Sequence, residues 1–342
     1  MKAIILVGGE GTRLRPLTYS IVKSMVPVLN RPFLEHVICR LARHDIKDII
    51  LAMGYKPDSI YEYFKKGPLK DVRLSYSLEV KPMGTAGAVK LASEHIRSAF
   101  FVLNGDVFTD IDYTGMLQYH LANKSKATIA LTHVDDPTKF GVVETENNGR
   151  VRAFIEKPPA DRVTSHWINA GVYVLEPEIL DYIPDDEFYM FERGVFPRLL
   201  QDNQLVFAYP SSAYWIDMGT PAKYKQLNND IITGRCSSFL YDASSPAVGE
   251  NTVVSKSCRI EGPVLIGKNC QIGEHVRLVG PLVIGNNCHI KMGCLIENSV
   301  LWNDIRVGIN SSVINSVIAN GAIIDNGSCL MDQIYNHEAN EV

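Results

Sequence analysis

The chain reads as two structural classes in series, an α/β domain on a doubly wound, mostly parallel sheet and then a parallel β-helix of hexapeptide repeats. Three observations predict this. The 342 residues exceed one typical core. From Met1 to about Gly234, short apolar runs alternate with helix-length amphipathic segments, the strand-helix-strand order of a parallel sheet. From about Ser245 an apolar residue recurs at every sixth position, which neither a helix nor an ordinary strand produces. The expected domains are residues 1–235 and 246–335.

In chain order, "KAIILVGG", "DIILAMGY", "RLSYSLE" and "AFFVLNGD" read as buried strands rich in Ile, Leu, Val and Phe. Between them, "PFLEHVICRLARH", "PDSIYEYFKK" and "TAGAVKLASEHI" space their apolar residues by three and four, as helices lying on a sheet do. Residues 126–220 are richer in strand. There "GVVETENNGRVRAFIEKP" predicts a hairpin about Asn147-Asn148-Gly149, expected to lean over the main sheet.

Positions 248, 254, 260, 266, 272, 278, 284, 290, 296 and 302 are Val, Val, Ile, Ile, Ile, Leu, Ile, Ile, Ile and Trp. The register then slips to Val307, Val313, Ile318, Ile324 and Leu330. Each hexad makes one flat face with its large aliphatic turned inward, and at about three hexads per coil the stretch predicts about four to five coils. Cys258, Cys270, Cys288 and Cys294 lie at multiples of six from one another. With His275 and His289 nearby they raise the question of a zinc site. A fixed place in the repeat favours small inward side chains instead, and no metal is assigned there.

Composition narrows the function. A net charge of −4 with 21% charged and 46% apolar residues argues against a nucleic-acid protein, which shows a basic domain or stripe. No apolar run reaches the roughly 18 residues of a membrane span, and the six apolar residues before the first glycines are too short for a signal peptide. Seven cysteines without a CxxC pair fit a reducing compartment. A cytoplasmic protein is expected.

The chemistry begins at "VGGEGTRLRPLT", residues 7–18. Glycines let several backbone N–H groups converge on one phosphate, and Arg13, Arg15 and Lys23 supply cationic charge. The dinucleotide fingerprint needs glycine where Leu14 stands, and GxxxxGK[ST] has no match. A structural glycine-rich turn is the alternative.

Together with "K..VPVLNRP" and, in order, "MGTAGAV" (83–89), "LNGDVF" (103–108), "FGVVE" (140–144), "FIEKP" (154–158), "INAGVYV" (168–174) and "WIDMGT" (215–220), this segment resembles the sugar-phosphate nucleotidylyltransferases. The resemblance spans nearly the whole chain, because many members carry a left-handed hexapeptide β-helix at the C-terminus. It implies transfer of a nucleotidyl group from a nucleoside triphosphate to a sugar 1-phosphate, with release of pyrophosphate. Such chemistry is mainly positioning and charge neutralisation.

By that resemblance, Gly8, Gly9, Gly11 and Thr12 line the nucleotide phosphates, Gly84 and Thr85 of "MGTAGAV" bind the nucleotide, and Arg13 and Lys23 face the triphosphate. Asp106 and Asp217 would hold Mg²⁺, which takes one or two carboxylates plus phosphate oxygens. Gly141, Glu156, Lys157 and Asn169 would bind the sugar phosphate. The plainer alternatives are a capping Asp and a solvated Glu-Lys pair.

Glu79 stands where the family reads the base. A carboxylate accepts from the adjacent N1–H and N2 amine of guanine, whereas uracil and thymine offer one N–H between two carbonyls. GTP is therefore expected, with a helix-capping glutamate as the alternative. "IENSVLWNDIRVG" (296–308) is similar to the mannose-1-phosphate guanylyltransferase branch, which implies mannose 1-phosphate; a glucose-1-phosphate uridylyl-, thymidylyl- or adenylyltransferase is the alternative.

One departure stands out, in that the family places proline before the lysine and this chain has Val22. Losing the ring removes a restraint on the aim of Lys23, which motivates a rival reading as a catalytically weak regulatory subunit. An acyltransferase activity of the β-helix with His275 or His289 as base is a further reading, and a homo-oligomer formed through the β-helix is expected.

Overall fold

The computed structural model describes residues 1–67, 69, 71–236 and 246–337. They form two compact units, one of Met1–Gly9 with Val37–Trp215 and one of Glu10–His36 with Ile216 onward. The glycine-rich segment is thus divided after Gly9, and its part from Glu10 on belongs with the C-terminal half of the chain. Of the junction between the two expected domains, residues 237–245 lie outside the described residues. No described helix is long and apolar enough to cross a membrane.

The first unit is built on a nine-stranded sheet. Lys2–Leu6 lies at its centre, parallel to both Asp48–Met53 and Phe100–Asn104, and Asp48–Met53 is parallel to Arg73–Leu78. The helices Phe33–Arg43, Asp58–Lys65 and Gly84–Ala92 arise where the three- and four-residue spacing predicts them. Ala3, Ile4, Ile5, Phe100, Phe101 and Val102 are completely buried, as central strands covered on both faces must be. Arg73–Leu78 is different: it ends the sheet and alternates between exposed and half-buried residues, so it is an edge strand and not the buried one expected.

Trp167–Leu175 runs antiparallel to Phe100–Asn104 and to Ala127–His133, and Val206–Pro210 joins parallel to the latter. The expected hairpin forms from Gly141–Thr145 and Val151–Glu156, closed by Gly149 at φ +85°. It does not lean over the sheet but extends it, through the pair Ile168–Val142.

In the second unit, residues 246–337 wind into three parallel sheets of six, five and five short strands. That is five coils and one further strand, slightly more than the repeat count predicts. The partners Ile266–Ile284, Ile272–Ile290 and Leu278–Ile296 are 18 residues apart, whereas Ile284–Leu301, Ile290–Val307 and Ile296–Val313 are 17 apart. The slip therefore falls before residue 301. Leu301, not Trp302, is the stacked residue, and Trp302 is buried with its indole N–H donated to Tyr224 Oη at 2.8 Å. Cys270, Cys288 and Cys294 are buried, with each Sγ against a backbone carbonyl of the next coil, and Cys258 is half-buried. His275 and His289 are exposed.

Candidate active site

In the first unit, the chain leaves the central strand through Gly8. A Cβ there would lie 2.9 Å from Glu79 Oε1 and 3.4 Å from the Gly54 amide nitrogen, so only a bare backbone admits the carboxylate. At Gly9 a Cβ would meet nothing within 4 Å; protein packing does not demand glycine there, which leaves an open backbone for a ligand. Glu79 Oε2 accepts from the Met83 N–H at 3.0 Å, at the start of helix Gly84–Ala92. The capping alternative is thus seen at one oxygen, Oε2. Burial pushes the Glu79 carboxyl above the usual range, against the opposing pull of that N–H.

Gly84 adopts φ +73°, and a Cβ on it would come within 2.5 Å of the Tyr189 carbonyl oxygen, which accepts from the Ala86 and Gly87 N–H groups at 3.0 and 3.1 Å. Thr85 Oγ1 donates to Glu192 Oε2 at 2.9 Å and accepts from the Phe191 N–H at 3.0 Å. Both residues tie the motif to 189–192, and the Thr85 hydroxyl is engaged with protein. Asp106 is half-buried at the carboxyl edge of strand Phe100–Asn104, where open α/β sheets keep their ligands. It follows Gly105, whose N–H donates to the Leu6 carbonyl at 2.9 Å and whose Cα approaches that oxygen too closely for any side chain.

The four residues expected on the sugar phosphate come together at one end of neighbouring strands. Gly141 pairs with Glu156 across the hairpin, and a Cβ on it would lie 3.0 Å from Glu156 Oε2. Lys157 follows at φ +50°, its ammonium 3.3 Å from Glu156 Oε1; the lysine side chain is 59% exposed and the glutamate 15%. Asn169, beside the registered pair Ile168–Val142, accepts from the Gly171 N–H at 2.9 Å and donates Nδ2–H to Tyr173 Oη at 2.8 Å. Tyr173, inside the "INAGVYV" motif but not singled out there, completes this network, and Glu192, the partner of Thr85, lies in no quoted motif. The one signal was a charge inside the aromatic run "FYMFERGVF", which a solvated helix face explains as well.

The second unit carries the cations. Gly11 adopts φ +69°, and its Cα closes on Lys23 so tightly that a Cβ would be 2.8 Å from Lys23 Cβ. Thr18 Oγ1 donates to the Gly11 carbonyl at 2.8 Å. Thr12 and Arg13 lie in the single 3₁₀ turn that follows. Lys23 is buried and opens the turn Lys23–Met25. Val22 before it sits at φ −69° and ψ 147°, inside the range that a proline ring imposes. The restraint thought lost with the ring is met without it, which removes the observation behind the regulatory reading.

A Cβ on Gly219 would lie 3.2 Å from Asp217 Oδ2 and 3.5 Å from both terminal nitrogens of Arg13, while Asp217 Oδ1 accepts from Lys223 Nζ. Arg13, Asp217 and Lys223 therefore gather around a glycine of the "WIDMGT" motif; Lys223 was not foreseen. The segment is anchored to the repeats and to helix Pro221–Ile232 in the same unit. Asn30 Nδ2 donates to the Ile284 carbonyl at 2.8 Å, Asn336 Nδ2 to the Pro16 carbonyl at 2.8 Å, and Tyr224 Oη to the Pro27 carbonyl at 2.6 Å.

Among the described residues no three His, Cys, Asp or Glu side chains converge. The metal candidates, Asp106 and Asp217, are hard carboxylate donors. That chemistry fits a divalent cation held mainly by phosphate oxygens, and not a zinc or calcium cage.

Comparison with known proteins follows the same division of the sequence. The model of the nucleotidyl transferase family matches residues 2–234, and that of the LbH domain of the EIF2B epsilon subunit matches residues 246–335. The chain is 38% identical over 273 residues to the mannose-1-phosphate guanylyltransferase of Mycobacterium tuberculosis, covering 77% of this chain and 73% of that one. It is 37% identical over 272 residues to the mannose-1-phosphate guanyltransferase of Schizosaccharomyces pombe, covering 78% and 71%. Among solved structures, it resembles HddC from Yersinia pseudotuberculosis complexed with GMP-PN at 31% identity and a TM-score of 0.58, over 66% of this chain and 97% of that one.

Proposed function

The chain belongs to the nucleotidyl transferase family, and from that premise we propose that it transfers the guanylyl group of GTP to mannose 1-phosphate, releasing pyrophosphate and forming GDP-mannose. Relatives at 37–38% identity carry that activity in their names. The observation that carries the choice of base is the Glu79 carboxylate packed on Gly8. Oε1 and the remaining lone pair of Oε2 suit the two adjacent donors of guanine, and a burial-raised carboxyl gains most from such donors.

The assignments follow the motifs. Gly8, Gly9, Gly11 and Thr12 offer backbone to the phosphates; Gly84 and Thr85 stabilise the turn beneath the nucleotide; Arg13 and Lys23 neutralise the triphosphate and the departing pyrophosphate. Gly141, Glu156, Lys157 and Asn169 receive the sugar 1-phosphate, whose oxygen attacks the α-phosphorus in line. Arg13, Lys23 and Asp106 are the catalytic set. Enzymes of this family generally use a divalent metal; we assign Mg²⁺ to Asp106 and Asp217, where it would neutralise charge on the phosphate oxygens.

The boundaries 1–235 and 246–335, a cytoplasmic location and a homo-oligomer formed through the β-helix complete the proposal. The test offers each nucleoside triphosphate with mannose 1-phosphate or glucose 1-phosphate, with and without Mg²⁺, and measures pyrophosphate. Release from GTP with mannose 1-phosphate is expected. No release from any pair would refute the reading, and a preference for UTP would refute the role given to Glu79.

A further inference from the structure

Lys223 belongs to no motif that led to the site, and its place in the second unit is an unfavourable one for a cation. It stands third in helix Pro221–Ile232, its N–H donated to the N-cap Thr220 Oγ1 at 3.4 Å, and the first turn of that helix holds no acidic residue. Aligned peptide dipoles leave positive charge at a helix N-terminus, so a lysine there is disfavoured where an aspartate or glutamate would be welcome. The cost is offset by Asp217, whose Oδ1 accepts from Lys223 Nζ. The aspartate side chain is 16% exposed and the lysine 35%, so the carboxylate is the deeper partner and the ammonium keeps access to solvent.

The charge around Asp217 is weighted toward cations. Where a Cβ on Gly219 would stand, Asp217 Oδ2 is 3.2 Å away and both terminal nitrogens of Arg13 are 3.5 Å away, and the Gly219 N–H donates to the Asp217 carbonyl at 2.7 Å. The space that a side chain would fill is therefore bordered by the carboxylate and the guanidinium, with the ammonium on the other carboxylate oxygen. Asp217 sets one negative charge against Arg13, Lys223 and the helix N-terminus, and a local surplus of positive charge draws in an anion. Lysine suits that task, since a compact charge with three rotatable donors on a flexible stem can turn from a carboxylate to phosphate oxygens.

We infer that Lys223 is a third cation for the pyrophosphate end of the nucleotide, in addition to Arg13 and Lys23, held in readiness on Asp217 until the phosphates arrive. There it takes up charge that builds as pyrophosphate departs. The inference rests on the proposed reading of Arg13 as facing the triphosphate.

The test runs the reaction backwards on the whole protein with Mg²⁺: cleavage of GDP-mannose by pyrophosphate, alongside calorimetric binding of pyrophosphate and melting temperatures. Lys223→Met, which keeps the stem without the charge, is expected to weaken pyrophosphate binding and raise its KM about tenfold, with KM for GDP-mannose within about twofold. Lys223→Arg keeps the charge and should retain most of the affinity. Unchanged pyrophosphate affinity in Lys223→Met overturns the inference and leaves an ion pair that only joins the strand end to the helix. Equal losses toward pyrophosphate and GDP-mannose with a lowered melting temperature overturn it too, since they mark a structural tie. A wild type that neither binds pyrophosphate nor cleaves GDP-mannose overturns the proposed function, and the inference with it; a wild type that does both, with indifferent variants, overturns the inference alone.

Discussion

Removing one hydroxyl, Tyr224→Phe, tests how the signature segment is held. Tyr224 is completely buried; its Oη donates to the Pro27 carbonyl at 2.6 Å and accepts from Trp302 Nε1 at 2.8 Å. Phenylalanine keeps the ring but leaves the buried Trp302 N–H and the half-buried Pro27 carbonyl without this partner. A lost bond costs about 1 kcal/mol net, and a stranded buried group about 1–3 kcal/mol, so about 2–5 kcal/mol is expected. Trp302→Phe strands only one side of Tyr224 and costs about 2–3 kcal/mol with its smaller ring. Since the two share a bond, the double variant should cost about 1–2 kcal/mol less than the sum.

Urea unfolding followed by circular dichroism reads these differences. Pro27 lies four residues after Lys23, so KM for GTP should rise in Tyr224→Phe while KM for mannose 1-phosphate stays. Strict additivity in the double variant, or a Tyr224→Phe cost below about 0.5 kcal/mol, would show that this chain of hydrogen bonds does not hold the segment.

Three further outcomes follow from the same structure. Val22→Pro should keep kcat/KM and change stability by no more than about 1 kcal/mol, because φ is already −69°; a clear loss of activity would mean that the Val22 side chain, not its backbone angle, serves Lys23. Gly219→Ala should lower kcat with little effect on melting, since its Cβ would press on Asp217 Oδ2 at 3.2 Å; unchanged kcat would remove Asp217 from the chemistry. His36, buried with Nε2 2.8 Å from the Val28 carbonyl oxygen, has its pKa lowered to about 4 by burial. The unfolded chain therefore binds the proton more tightly, and stability is full above pH 6.5 and falls as pH drops from there to about 4. The loss is on the order of 3 kcal/mol. His36→Gln should abolish that component of the pH dependence in unfolding experiments, and an unchanged profile would refute it.

Much of the fold was legible because it depends on period. Alternating runs named the sheet and its helices, and the hexad named the β-helix; the inward aliphatics at 266, 272, 278 and 284 stack as the spacing predicts. Where the pattern misled, a neighbour decided. Trp302 fits the repeat by count, but the corner before it is one residue shorter and gives Leu301 the stacked place. Arg73–Leu78 looks like any other strand until it is found to have a partner on one side only.

At the site, motifs named the residues proposed to meet ligands, because those chemistries need particular side chains in a particular order. They were silent on the supports. Glu192 is bound through a contact between residues far apart in the chain, the hydrogen bond from Thr85 across 107 positions, and no local spacing encodes such a contact. Val22 shows the reverse: the sequence marks a missing proline, and only the backbone reveals that the valine adopts the same angle. The sequence by itself determined the two architectures, which follow from periodicity, and the family, which follows from its ordered motifs. Tertiary structure alone decided that Glu10–His36 is anchored to the β-helix, because that attachment rests on individual hydrogen bonds between segments as many as 320 residues apart.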